Sequence, residues 1–392
     1  MNPFEAIPDI VITPAGARRL RDGHLWIYAS DVVSESPPEP PAIARILDAA
    51  GNGLGFAMFS PLSQIRLRLL RRGAEPPTAE WLRERLGEAI GRRVTALTAG
   101  GACRLVYGEA DLLPSIIVDR YDDYLVLQTL SHGAEALKPV LVDALCGLLT
   151  PKGILERNDL KARLLEGLPE SHGVLWGEAP GPIRIEEAGV AFEVDVAGGQ
   201  KTGFFLDQSE NRVAARRYAR GCALDCFTNT GAFALHFARS CESVLGVDIS
   251  AQSLELARRN ARLNQASNVD FQEANVFDFL REMDRAGRRF DLVCLDPPAF
   301  AKSRASVSGA RHGYKEINLR AFKLLRPEGI LISSSCSYHL TEWDFFSLIA
   351  EAARDAHRQV QVIERRSQAS DHPVLASMPE THYLKCFILR VL

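Results

Sequence analysis

From residue 186 to residue 392, short apolar runs alternate at regular intervals with longer amphipathic stretches. The strand-like runs are "CALDCF", "SVLGVDI", "VDFQEA", "FDLVCLD", "GILISSS", "QVQVIER" and "YLKCFILRVL". Helical patterns stand between most of them: "GAFALHFARS", "SAQSLELARRNARLN", "YKEINLRAFKLL" and "TEWDFFSLIAEAARDA". This alternation predicts a mostly parallel sheet with helices on both faces. Ligands on such a sheet bind beyond the C-terminal ends of the strands, so functional residues are expected directly after each strand.

Upstream the pattern is different. Residues 8–73 read as a small β domain, with "DIVITP", "ARILDA", "GLGFAMFS" and "QIRLRLL" as short strands punctuated by Pro and Gly. "SESPPEPPA" (Ser34 to Ala42) is a loop, because proline opposes both helix and central strand. "AEPPTAEWLRERLGEAIGRR" opens on a Pro-Pro break and continues as an amphipathic helix that Thr78 can cap. Strands "RLVYGE" and "SIIVDRYDDYLVLQTL" and the helix "GAEALKPVLVDALCGLLT" come next, with no catalytic spacing among them. The expected division is therefore 1–75, a β domain; 76–185, an α+β connector; and 186–392, the α/β sheet domain. The fold class is α/β.

Bulk properties narrow the function. At 392 residues the chain exceeds the usual size of one domain. No apolar run approaches the ~20 residues that span a bilayer, and "MNPFEAIPDI" does not read as a signal peptide. A net charge of −3 excludes a globally basic nucleic-acid binder, so any basic face is local. Arginine outnumbers lysine 38 to 8, a bias of composition or a supply of forks for phosphates and bases. "ARRLRDGHLW" and "QIRLRLLRR" concentrate seven of these arginines. Arg18, Arg21, Trp26, Arg66 and Arg68 are accordingly either a solvated charged face or an RNA contact with an aromatic beside it. The eight cysteines form no C-x-x-C pair, so neither a metal site nor a disulfide framework is expected, and thiols of this kind point to a reducing cytoplasm.

The strand ends carry the chemistry. After the first comes "LDCFTNTGAF", where Asp225, Phe227, Thr228 and Gly231 could form a ligand loop, although Phe227 and Asn229 stand where glycine is commoner. After the second comes Asp248, 23 residues beyond Asp225, placed to accept from both ribose hydroxyls; Ser250 behind it suits a helix cap and is counted on the cofactor side. After the third, Asn275 could hold an adenine amino group, with Val276 or Phe277 facing the ring. After the fourth comes "LDPPAF", in which Pro-Pro stiffens the chain beside Asp296, a carboxylate able to bond a planar nitrogen heterocycle. After the fifth comes "SSSCSYHL". Cys226 and Cys294 have apolar neighbours and suit packing, whereas Cys336 lies between Ser335 and Ser337, poor chemistry for a core.

With these motifs in hand the chain resembles the class I S-adenosylmethionine-dependent methyltransferases. More narrowly it is similar to the ribosomal RNA large subunit methyltransferase I family, which makes 5-methylcytidine in 23S rRNA. "LRDGHLWIYASDV" and "FSPLSQIRLRLL" resemble a PUA domain, an RNA-binding fold. "ACRLVYGEADLLPSIIVDRYDDYLVLQ", "GGQKTGFFLDQSENR", "LDPPAF", "YKEINLRAFKLLRPEGILISSSCS" and "ASDHPV" extend the likeness along nearly the whole chain. The resemblance implies a Rossmann-like sheet, S-adenosylmethionine as cofactor, and rRNA, free or in a subunit precursor, as partner, with a homodimer among the states it allows. It would set Phe204, Asp207, Gln208 and Asn211 near the methionine end of the cofactor. Asp225, Phe227, Thr228 and Gly231 would lie under it, Asp248 at the ribose, and Asn275 with Val276 at the adenine, where the family more often has Asp. It makes Cys336 the nucleophile and Asp296 its partner on the base. Pro298 occupies the position of the second cysteine found in other RNA 5-methylcytosine enzymes, so the base that removes the C5 proton has no candidate. Two other functions fit the same motifs: methylation of a guanine nitrogen without a thiol, and a non-catalytic RNA-binding or assembly factor.

Overall fold

The computed structural model describes residues 2–5, 7–33, 40–93, 100–198, 203–301 and 306–392. Most of the Pro-rich run, residues 34–39, and the start of the "GGQKTGFF" junction, residues 199–202, lie outside the described residues. The chain divides into two compact units: Met1–Ile185 with Val194–Leu206 and Asp371–Thr381, and Glu186–Glu193 with Asp207–Ser370 and His382–Leu392.

The first unit holds two five-stranded sheets. One runs, in spatial order, Asp9–Val11, Ile43–Leu47, Gly53–Phe59, Ile65–Arg71 and Trp26–Tyr28. A helix, Pro14–Arg21, precedes its edge strand; Thr13 caps it by accepting from the Gly16 N–H at 3.2 Å, and proline takes the first position, where no N–H is needed. The basic stretch "ARRLRDGHLW" is therefore the end of a helix and the start of a strand. The second sheet runs Ser171–Gly177, Gly153–Asn158, Tyr124–Thr129, Ile116–Tyr121 and Ala102–Tyr107. Its one parallel pair, Tyr124–Thr129 with Gly153–Asn158, is joined by the helix His132–Leu149, as a parallel crossover requires. Thr78 caps the helix Ala79–Gly91 through the Trp81 N–H at 3.1 Å. Ile43, Phe56, Met58 and Leu70 from the first sheet share one core with Leu82, Leu105, Val118 and Leu137. The two sheets thus share a core within one compact unit.

The second unit is built on a seven-stranded sheet. In chain order its strands are Cys222–Cys226, Ser243–Asp248, Val269–Glu273, Phe290–Leu295, Leu325–Ser335, Val360–Arg366 and Lys385–Val391. Across the sheet they stand third, second, first, fourth, fifth, seventh, sixth. The pairings among the first five are parallel, while the seventh is antiparallel to both the fifth and the sixth. Helices on both faces bury apolar residues against the sheet, Phe279, Tyr314, Phe322 and Phe345 on one side and Phe233 and Phe237 on the other. One helix, Val276–Arg285, is not among the helical patterns read from the sequence. Its buried residues Val276, Phe279 and Leu280 have helical spacing, and Asn275 caps it, the carboxamide oxygen accepting from the Phe277 N–H at 2.9 Å.

A buried ion pair ties the helix Ser209–Arg216 to Glu187, the last residue of the strand Ile183–Glu187. Arg212 forks onto both oxygens of Glu187 at 2.6 Å each, and His236 Nε2 lies 3.0 Å from Oε1. Burial works against the Glu187 carboxylate, but the Arg212 guanidinium overrides it and holds the pKa at about 2. Because the folded value lies below that of the unfolded chain, this stability is present above about pH 4 and lost as pH falls towards about 2. Arg212→Leu should lower stability by about 3–5 kcal/mol by leaving the carboxylate buried without its partner, and Glu187→Leu/Arg212→Leu should recover much of that loss. Urea denaturation monitored by circular dichroism measures both.

Candidate active site

The parallel registers bring the ends of the first five strands to one edge: Cys226 is level with Val247 and with Leu295, Asp248 with Glu273, and Leu295 with Ser333. The loop after the first strand turns by three left-handed residues, Phe227 at φ +62°, Asn229 at φ +49° and Gly231 at φ +83°. Two of the three carry side chains, which costs about 1 kcal/mol each, and such conformations persist where the surroundings fix them. Here Asp225 does much of the fixing. It is buried, and Oδ2 accepts from the Thr228 hydroxyl at 2.5 Å and from the Ala234 N–H, in the first turn of the next helix, at 3.0 Å. Its Oδ1 is buried without a nitrogen or oxygen partner among the described residues. Burial raises the Asp225 carboxyl to about 7, the Thr228 and Ala234 bonds oppose this, and the negative charge of Asp296 reinforces it.

Asp248 is half-buried and takes two backbone N–H groups, Asn229 on Oδ2 and Ser250 on Oδ1, each at 2.9 Å. Ser250 caps the next helix through the Ser253 N–H at 3.2 Å, so the cap reading of that residue holds alongside its place at the strand end. Asn275 is exposed, with its oxygen engaged in capping, and Val276 is buried. Asp296 is half-buried and its Oδ1 accepts from Gln208 Nε2 at 2.7 Å. Gln208 Oε1 accepts from Asn211 at 2.7 Å, and Asn211 Oδ1 accepts from Arg366 at 2.9 Å. Asp207 accepts the Tyr383 hydroxyl at 2.5 Å. Phe204 belongs to the other compact unit, where its N–H donates to the Tyr121 hydroxyl at 3.2 Å.

The serines that made Cys336 conspicuous are buried. Ser333 donates to Asn318 at 2.8 Å, Ser335 accepts from the Ser337 N–H at 3.3 Å, and Ser337 Oγ meets the Ala301 N–H at 3.1 Å and the Tyr314 hydroxyl at 2.9 Å. They act as a hydrogen-bonded core, and Cys336 between them is the half-buried residue, its Sγ 3.9 Å from the Pro297 carbonyl. Cys226 and Cys294 are buried and have thiol pKa values pushed well up by burial, as packing residues should. Three features escaped the sequence reading. Phe300 and Tyr314 join Phe227 and Phe277 in an aromatic wall beside the Asp296 loop, with ring centroids 4.7 Å apart for Phe300 and Tyr314. Gln208 bonds directly to Asp296. Lys385 is buried with its Nζ 2.7 Å from the Ser337 carbonyl.

The basic candidates of the first unit separate. Arg18 and Arg21 are exposed, Arg21 in an ion pair with Asp48 at 2.7 Å, and Arg66 is half-buried and donates to the Ser60 carbonyl at 3.2 Å. Trp26 donates to Glu109 at 2.8 Å and packs edge-on to His24. Arg68 is buried, paired with Glu166 at 2.7 Å and bonded to Ser60 Oγ at 3.0 Å. Arg68 itself is therefore a buried ion pair and not part of a basic surface.

Among the described residues no helix is long and apolar enough to cross a membrane, and no group of three or more His, Cys, Asp or Glu is set to hold a metal ion. The PUA-like domain family matches residues 10–72 and a methyltransferase domain family matches residues 221–377. A structure assigned to the SAM-dependent methyltransferases, from Streptococcus mutans, superposes with a TM-score of 0.83 over 98% of this chain and 100% of its own at 20% identity, which establishes the fold. The ribosomal RNA large subunit methyltransferase I of Tolumonas auensis is 42% identical over 94% of this chain and 96% of its own length. That of Shewanella denitrificans is 40% identical over 97% and 99%. With likeness of that extent running from end to end, the chain belongs to the ribosomal RNA large subunit methyltransferase I family.

Proposed function

We propose that this chain transfers a methyl group from S-adenosylmethionine to C5 of a cytidine in 23S rRNA, with Cys336 as the nucleophile. The observation that carries the reading is the half-buried Cys336 thiol set 3.9 Å from the carbonyl of Pro297, the residue after Asp296. A thiol and a carboxylate at adjacent strand ends suit a pyrimidine, whose C6 accepts the sulfur while its polar edge is held.

The strand ends fit the cofactor. The buried Asp225 Oδ1 has no nitrogen or oxygen donor among the described residues, the Asp248 carboxylate is half-exposed at the next strand end, and the loop between them is held in left-handed conformations. Asp248 would take the ribose hydroxyls, Asn275 and Val276 the adenine, and Asp207, Gln208 and Asn211 the methionine end. Bound there, S-adenosylmethionine supplies an electrophilic methyl group.

C5 of cytosine is too weak a nucleophile to accept that group unaided. The Cys336 thiolate forms a bond to C6, and the electrons of the C5–C6 double bond move to C5. C5 bonds the methyl carbon as its bond to the sulfonium sulfur breaks, leaving a thioether. Loss of the C5 proton then restores the double bond and expels the thiolate. Asp296, held by Gln208, keeps N3 or the exocyclic amine in place while charge shifts on the ring. The base must leave its stack to reach this edge. Arg18, Arg21 and Arg66, with Trp26, are the proposed contacts to the RNA backbone.

Cys336→Ala should abolish 5-methylcytidine formation, with turnover falling by at least about a thousandfold, as read by mass spectrometry of rRNA nucleosides. RNA containing 5-fluorocytidine should be trapped as a covalent adduct by the native enzyme and not by this variant. Full turnover in Cys336→Ala would instead favour methylation of a guanine nitrogen. Asp248→Ala should weaken S-adenosylmethionine binding about 10- to 100-fold in isothermal titration, since two hydrogen bonds to a charged group are lost.

A further inference from the structure

We infer that Lys385 is a positioning residue for Cys336: its buried ammonium group holds the sulfur as the thiolate. This rests on the reading of Cys336 as the nucleophile and supplies what that reading lacks, a group that makes the thiol reactive.

Lys385 is the first residue of the seventh strand and stands in register with Ser335, the residue before Cys336. The whole residue is 3% exposed. Its Nζ donates to the Ser337 carbonyl at 2.7 Å and to the Tyr383 carbonyl at 2.9 Å. An ammonium has three donors, and among the described residues the third has no hydrogen-bond acceptor and no carboxylate lies within ion-pair distance. Burying a cation without an anion costs several kcal/mol, so such a site is kept where an anion is to be formed. The Ser337 bond anchors the ammonium one residue beyond the thiol.

The surroundings leave Cys336 as the anion to be formed. Burial lowers the Lys385 ammonium to about 8, while the charges of Cys336 and then Glu342 act in the opposite sense. Glu342 is on the exposed first turn of the helix Glu342–Asp355, where solvent screens it. From the helix Val307–Leu324, Tyr314 presents a phenol that burial keeps protonated. Cys386, next in the chain, is pushed up to about 12 by burial. Asp296, on the fourth strand's end, is engaged by Gln208. Level with Ser335 and bonded to the Ser337 carbonyl, the ammonium favours the charged form of the thiol between them. Below about pH 8 the ammonium is charged and supports the thiolate, and above that the support fades.

The test measures thiol reactivity without RNA. The full-length protein is treated with iodoacetamide from about pH 6 to about pH 10, and the rate at Cys336 is tracked by mass spectrometry of its peptide. The thiolate is the reacting form, so the midpoint of the rate profile reports its pKa. Lys385→Met should raise that midpoint by about one pH unit or more, slowing alkylation at pH 7 about tenfold. Lys385→Gln should do the same while keeping donors for the two carbonyls, and it carries the test if methionine disturbs the strand end. Lys385→Arg should keep the midpoint low. S-adenosylmethionine binding, measured on each variant, should be unchanged. An unaltered midpoint in Lys385→Gln would overturn the ion pair and leave Lys385 as a tie between strand ends. A shifted midpoint together with full turnover in Cys336→Ala would overturn the nucleophile and leave the ion pair standing.

Discussion

The arrangement of this active edge depends on one antiparallel insertion in a parallel sheet. The seventh strand, Lys385–Val391, runs between the fifth and sixth in the opposite direction. Every parallel strand delivers its C-terminal end to the ligand edge, where the chain must soon turn away into a helix. The inserted strand delivers its first residue there instead. This is how Lys385 comes level with Ser335 although 50 residues separate them in the chain. The same pairing buries Cys386, Phe387 and Ile388 between two neighbouring strands, so the position of the lysine is fixed by the core and not by a loop.

A second consequence is the buried serine run. Ser333, Ser334 and Ser335 on the fifth strand, and Ser337 just past it, are fully buried, and that strand has a neighbour on either side. Hydroxyl groups at such a depth destabilise unless they are hydrogen-bonded, and of the four, Ser334 Oγ has no nitrogen or oxygen partner among the described residues. Asn318 and Tyr314, both on the helix Val307–Leu324, meet Ser333 and Ser337. The result is a strand end with little freedom, gripped from a helix, from the Ala301 N–H and from Lys385. A thiol on such an end holds a fixed position against the Pro297 carbonyl.

The sheet was legible in the sequence because strand and helix periods differ and its strands are bounded by Gly, Pro and Asp. The ligand edge was legible from topology, since the residues just past each parallel strand gather at one edge. Asp225, Asp248, Asn275, Asp296 and Cys336 all stand there. That rule is blind to the start of an antiparallel strand, so Lys385 went unnoticed inside "YLKCFILRVL". The sequence grouped Arg68 with Arg66 among the candidate RNA contacts, but the partner that buries it, Glu166, lies 98 residues away and leaves no local trace. The helix after Asn275 was missed for a different reason: its ten residues carry their apolar positions in the pattern of a helix, yet they follow closely on a strand end whose residues were read for ligand contacts.

Stability and chemistry meet on the helix Ser209–Arg216. Arg212, on its buried face, is locked to Glu187, and Asn211, one residue before, links Gln208 to Arg366. Gln208, at the cap position, reaches Asp296. A rotation of this short helix would break the ion pair and misplace the carboxamide that fixes Asp296. The cost of leaving Glu187 unpaired in the interior therefore also resists any movement of Gln208. The orientation of Asp296 is thus set by a charge pair that lies on a different side chain of the same helix and takes no part in the chemistry.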